Sequence, residues 1–405
     1  MSAPPSAPSL GRRRRLRAVL LFVAVQLVLA VLIFEGGLRV ARRWHGGLNA
    51  LLYSPTLRTE YDDATTTREL LERSLLGFHP YEARGGFVLS SRGFRTPEYA
   101  PEPAPGTLRV VILGDSFAFA SGGVPWGWGW PALLERELDR RLEAPVEIVN
   151  LGVPAVGPRF ELRMWELEGA HLGPQVVLLA FFVGNDFTDE SGTPLGTRRD
   201  SALARWSVTW RLVRNLLRLR RERAAGLDAV PAVPPDERKF AKGGVERLQY
   251  RRVYRDDEPL LSEEAYLEIE EGRLRLVRTD RRDSFERLFA DTREVLVRLH
   301  RSVRAWGARL FVVLVPDEFQ VSEEVLDRIV QRYDVDRDLL DLTLPQRRLK
   351  ELCRREGLAC LDLLPVLRAA PERVYRVRDT HWNLAGNRRA ARAMAEALER
   401  ILERE

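Results

Sequence analysis

Ser116, His381 and Asp379 are the residues whose types and positions could do chemistry together. A serine hydroxyl is too weak an acid to attack an ester unaided, so a base must take its proton. His381 is the best placed of the 5 histidines. His45 lies beside the N-terminal apolar run, His79 precedes a proline, and His171 and His300 fall late in expected helices. Asp379 stands two residues before His381, and in an extended segment residues two apart point to the same side. A carboxylate there could accept from one imidazole nitrogen while the other faces Ser116, the logic of a Ser-His-Asp triad. The less favoured alternative is that Asp379 is merely a turn residue. No histidine pairs with another at metal-ligand spacing, so neither a metal nor a cofactor is expected.

These residues need elements that hold them. Val110-Val111-Ile112-Leu113 is a short apolar run, largely β-branched, that suits a strand buried on both faces. Gly114-Asp115-Ser116 follows, which puts the serine just past the carboxyl end of that strand, where open α/β sheets bind ligands. Asn383 reads as the N-cap of a last helix, so His381 would sit at a helix start. The serine is not in a Gly-x-Ser-x-Gly elbow, because Ala118 occupies the last position.

Further strands are expected at 146–151, 176–183, 309–315 and 359–363, and helices at 130–142, 159–171, 284–306, 345–356 and 384–402. Such alternation predicts an α/β fold, a three-layer α/β/α sandwich around a parallel sheet.

Four blocks occur in order: Gly114-Asp115-Ser116, Asn150-Leu151-Gly152, Gly184-Asn185-Asp186 and Asp379-Thr380-His381-Trp382. Together they resemble the SGNH (GDSL-type) hydrolase family over roughly residues 108–401, apart from an insertion at 187–283. The Asp-x-His-Trp arrangement resembles the SGNH enzymes of polysaccharide O-acetylation, such as those acting on alginate. The resemblance implies a flavodoxin-like sheet. It also implies an oxyanion hole built from the backbone N–H of Ser116, the backbone N–H of Gly152 and the side-chain amide of Asn185. Two departures stand out. The glycine before the asparagine is displaced by one position, and Arg378 occupies the place where many members carry the triad aspartate.

The chain of 405 residues carries a net charge of +6, which invites a nucleic-acid reading until it is located. Residues 1–45 hold Arg12 to Arg15, Arg17, Arg39, Arg42 and Arg43 against Glu35 alone, so the basicity belongs to the N-terminal end. Nucleic-acid binding is therefore not expected. Ala18 to Phe34 is apolar except for Gln26, and Gly36 to Val40 could extend it toward membrane-spanning length. No Ala-x-Ala pattern follows, so an uncleaved anchor is favoured over a signal peptide. Five arginines precede the run and three follow, which by the positive-inside rule puts the remainder outside the cytoplasm.

The expected organisation is a basic cytoplasmic tail at 1–17, a transmembrane anchor at 18–38, a lead-in at 39–107 and an SGNH hydrolase-like domain at 108–405. In the lead-in, Ser91-Arg92-Gly93-Phe94-Arg95 is expected to pack on that domain. Within the insertion, Leu203, Trp206, Trp210, Val213 and Leu217 form one helical stripe, and Val208, Leu212, Leu216 and Leu219 the opposite one. Tyr266 to Val277 is expected as a β-hairpin. Cys353 and Cys360 read as two buried thiols, with a bridge as the alternative. The expected function is a membrane-anchored extracytoplasmic ester hydrolase or O-acyltransferase acting on acylated cell-envelope or exported glycans. A lipid esterase or thioesterase, and an inactive glycan-binding or assembly component, are the alternatives.

Overall fold

The computed structural model describes residues 10–41, 65–73, 83–84, 87–121, 124, 126–189, 207, 209–210, 212–213 and 255–403. The chain divides into two compact units, Met1–Leu52 with Asp200–Leu227, and Tyr53–Arg199 with Asp228–Glu405.

The first unit contains α1 (Leu10–Ala41). Leu21, Phe22 and Ile33 on it are 67%, 64% and 74% exposed, a large apolar surface that nothing in the chain covers among the described residues. Among the described residues no helix is long and apolar enough to cross a membrane. The side chains of Ala18, Leu20, Ala24, Leu27 and Val28, all within the expected anchor, lie outside that set. Glu35 Oε2 accepts hydrogen bonds from Ser207 Oγ (3.0 Å), Thr209 N (2.9 Å) and Thr209 Oγ1 (2.8 Å), which ties the insertion to α1. Of the two stripes expected there, only Trp210, Leu212 and Val213 are described.

The second unit begins with α2 (Thr67–Arg73) and is built on five strands. These are β1 (Leu108–Gly114), β2 (Val146–Asn150), β3 (Val176–Phe182), β4 (Arg309–Val315) and β5 (Ala359–Asp362). All pair in parallel, in the order β2-β1-β3-β4-β5. The order reverses between β1 and β3, the switch point where the carboxyl ends of such strands open a crevice.

The strand sequences dictate the layers. Because alternate residues face opposite sides, Val111, Leu113, Val177, Leu179, Val312 and Leu314 enter one core, while Val110, Ile112, Leu178, Ala180, Phe311 and Val313 enter the other. The first core is closed by α4 (Pro158–Leu167), α7 (Arg282–Ala305) and α10 (Leu344–Glu356), through Trp165, Phe285, Leu296 and Leu349. The second is closed by α3 (Trp130–Arg141) and α12 (Leu384–Leu402), through Trp130, Leu134, Met394 and Leu398. A parallel sheet covered on both faces is the three-layer α/β fold expected from the alternation.

Shorter helices complete this unit: α5 (Asp186–Asp189), α6 (Glu263–Leu274), α8 (Glu318–Val321), α9 (Glu323–Tyr333) and α11 (Leu364–Arg368). The expected hairpin at 266–277 is instead α6. Ser262 caps it by accepting from Ala265 N, and Tyr266, Leu267 and Leu274 pack with Leu326 and Ile329 of α9 in a third core. The alternation that suggested strands was a helix with polar residues in its apolar face, Glu270 and Arg273, both buried. Cys353 and Cys360 are both free thiols, and contact with Cys353, together with burial, pushes the Cys360 thiol up.

Candidate active site

The backbone after β1 presents Ser116 at the switch point, and the entry to α12 presents His381. Asn383 caps α12 by accepting from Gly386 N at 2.9 Å, and its amide donates to Arg373 O at 2.7 Å. Backbone bonds Arg376 N→His381 O (3.0 Å) and Asn383 N→Val374 O (3.0 Å) close the preceding loop on itself. The segment 377–381 is therefore a tight turn and not the extended stretch that the two-residue spacing suggested. Arg378 makes the turn by adopting a left-handed backbone, φ 46°. Arg378 is thus a turn residue, and Asp379 points inward.

The side chains then meet. Ser116 Oγ lies 2.8 Å from His381 Nε2, and His381 Nδ1 lies 2.7 Å from Asp379 Oδ1. Asp379 is 2% exposed. Burial acts to raise its carboxyl, but the imidazole, its hydrogen bond and Arg376, 3.6 Å from Oδ2, outweigh burial and hold it below the usual carboxylate range. An ionised, buried carboxylate fixed to Nδ1 leaves Nε2 free to accept the serine proton.

Asp115 buttresses the turn that carries Ser116. Its Oδ1 accepts from Phe117 N at 2.9 Å, and its Oδ2 lies 3.4 Å from Ser116 Oγ and accepts from Asn185 Nδ2 at 3.2 Å. Asn185 is therefore linked to the Ser116 turn from the β3 side through Asp115. Asp186 orients that loop by accepting from Phe182 N at 2.8 Å.

Among the described residues the Ser116 N–H makes no hydrogen bond. Gly152 differs. Its N–H is donated to Asn150 Oδ1 at 3.0 Å, so the expected free oxyanion donor is already engaged. The glycine is needed for another reason: an added Cβ would stand 2.6 Å from Ala118 Cβ and 2.8 Å from Phe119 N. The second block thus packs its backbone against the turn that carries Ser116, and Asn150 Nδ2 ties the same turn down through Ala118 O at 2.8 Å.

One supporting residue carries more than the sequence assigned to it. Arg95, in the Gly-Phe-Arg lead-in, is 1% exposed. It donates to Phe119 O (2.7 Å), Ala120 O (2.5 Å) and Val124 O (2.6 Å). Burial pushes its guanidinium down to about 9. Three carbonyls converge on it because Ala120, with φ 54°, turns the chain left-handed. Packing of the lead-in on the domain was legible; its role in holding the loop after Ser116 was not.

His171 and His300 lie away from this site, in a 3-10 turn (Gly169–Leu172) and in α7. His45 and His79 lie outside the described residues. Among the described residues, no group of three or more histidine, cysteine or acidic side chains could hold a metal.

Residues 277–404 match the family described as the SGNH hydrolase-like domain of acetyltransferase AlgX. The C-terminal part of the chain is thus similar to an SGNH hydrolase-like domain. The AlgX-type match takes in β4, β5, the Asp379–His381 turn and α12, while Ser116 and the first three blocks precede it. No curated protein matches the chain significantly. Among solved structures, the chain is similar to TesA, at 13% identity over 72% of this chain and 99% of that one, with a TM-score of 0.37. It is similar to Axe2, an acetylxylan esterase from Geobacillus stearothermophilus, at 14% identity over 72% and 94%, TM-score 0.36. A psychrotrophic esterase EstA from Pseudoalteromonas sp. is 11% identical over 73% and 98%, TM-score 0.37.

Proposed function

We propose that this SGNH hydrolase-like domain is a serine esterase or O-acyltransferase. The observation that carries the reading is the hydrogen-bonded line Ser116–His381–Asp379, with an ionised and buried carboxylate at its far end. In the proposed reaction His381 Nε2 takes the Ser116 proton as Oγ attacks the ester carbonyl. The tetrahedral oxyanion is met by the Ser116 N–H and the Asn185 amide. Gly152 can contribute only by sharing the N–H that Asn150 now holds. The imidazolium then protonates the leaving alcohol, and an acyl-serine remains. Water or a sugar hydroxyl, deprotonated by the same imidazole, releases the acyl group.

An acetylated or acetyl-accepting glycan is the proposed substrate, on the likeness to the AlgX acetyltransferase domain and the shared Asp-x-His-Trp block. We further propose that residues 18–38 anchor the chain in the cytoplasmic membrane, with the catalytic domain outside. The apolar run, the exposed apolar side chains of α1 and the arginine asymmetry around them support this reading. The test is to supply the full-length chain with p-nitrophenyl acetate, with and without an unacetylated oligosaccharide. An acyltransferase should release nitrophenol and leave acetylated sugar, and an esterase should leave acetate. Release unchanged in Ser116→Ala would overturn the reading.

A further inference from the structure

The displaced glycine of the third block rests on a charge. A Cβ on Gly184 would stand 2.4 Å from Asp317 Oδ2 and 2.4 Å from Phe182 Cζ, so the loop that carries Asn185 packs its backbone directly on the Asp317 carboxylate. Asp317 is fully buried after β4, where its Oδ1 accepts from Glu318 N at 2.8 Å. A buried carboxylate needs a counter-charge. It comes from the insertion side. Arg273, in the last turn of α6, donates from Nη1 to Asp317 Oδ1 at 3.3 Å and to Glu270 Oε1 at 3.0 Å.

The same guanidinium lies over the Phe182 ring, 4.9 Å from its centroid. Phe182 meets Phe117 at 4.5 Å, and Phe117 meets the His381 ring at 5.2 Å. Arg273 thus braces both the loop before Asn185 and the aromatic wall beneath the histidine. Asp115, to which Asn185 donates, feels it too. Burial raises that carboxyl first, and Arg273 is among the charges and hydrogen bonds that oppose the rise.

We infer that Arg273 is a positioning residue for acyl transfer: it holds the Asp317 carboxylate under Gly184 and so fixes the Asn185 amide where the oxyanion forms. This rests on the proposed acyl-serine chemistry, with Asn185 as an oxyanion donor. The insertion that interrupts the α/β alternation is thereby part of the reacting machinery. A merely structural ion pair would glue α6 to the domain and no more.

The two roles separate in kinetics. In the full-length chain, Arg273→Met should lower kcat for p-nitrophenyl acetate and the rate of fluorophosphonate labelling by between about tenfold and about a hundredfold, with KM little changed. Arg273→Lys keeps the charge without the planar fork, so it should regain part of the loss at a melting temperature close to wild type. If Arg273→Met fails to fold, Arg273→Lys alone decides, and its kcat should fall while its melting temperature does not. A folded variant with unchanged kcat and labelling rate, or with a loss confined to KM or to melting temperature, overturns the inference. A wild-type chain that does not label at Ser116 removes the acyl-serine reading itself. A wild type that labels, beside an Arg273 variant that labels as fast, removes only the role of Arg273.

Discussion

At the scale of single residues, the account turns on three side chains acting as one. Ser116→Ala and His381→Ala should each abolish most ester turnover, and the double variant should be no worse than either, because members of a triad do not contribute independently. Steady-state kcat/KM of the three proteins checks this, and losses that multiply would place the residues in separate steps. Ser116 and His381 were legible because one follows a strand and the other precedes a helix, whereas Asp379 was chosen on an extended spacing that the structure replaces with a turn. Their support was legible only in part. Asn383 reads as a cap because its short side chain precedes a periodic apolar run, and it is one. Nothing local marks Arg95, whose partners lie 24 to 29 residues downstream. The engagement of the Gly152 N–H by Asn150 was hidden for a different reason. The resemblance transfers a residue and its expected role, but the hydrogen bond depends on the Asn150 rotamer, which packing on Arg95 and Ala118 decides.

At the scale of elements, the strands and major helices follow from hydrophobic period, and the miss at α6 follows from the same rule. Buried Glu270 and Arg273 interrupt its apolar face, so the pattern loses its helical signature where the element does its work. The neighbouring α8 gives this interface a pH response. Tyr266 of α6 donates to Glu318 Oε2 at 2.6 Å, and burial raises the Glu318 carboxyl from its ordinary value of 4.5 to about 8. The folded chain therefore holds a proton between those values that the unfolded chain has released. Linkage makes this group cost stability progressively as pH rises from about 4.5 to about 8, and no more above that. Glu318→Gln keeps the tyrosine's partner without the titration. Its melting temperature should fall less than that of wild type between pH 5 and pH 8. Parallel curves would show that Glu318 does not titrate in that window.

At the scale of the whole molecule, the central fold was legible because a sheet buried on both faces writes itself as short apolar runs between amphipathic helices. The insertion was not, since its helix α6 takes its place from contacts with α9 and the buried charges, both distant in sequence. The proposed anchor makes a prediction at this scale. Alkaline phosphatase fused to the C-terminus should be active in cells and a GFP fusion dark; the reverse result would put the domain in the cytoplasm and remove the envelope glycan as substrate. The central claim, an acyl-serine enzyme built on Ser116, His381 and Asp379, is tested most directly by reacting the full-length chain with a fluorophosphonate and mapping the adduct. The account predicts one modified residue, Ser116, with labelling lost in Ser116→Ala and strongly slowed in His381→Ala. Labelling that persists in Ser116→Ala, or a wild type that takes up no label at Ser116, would contradict it.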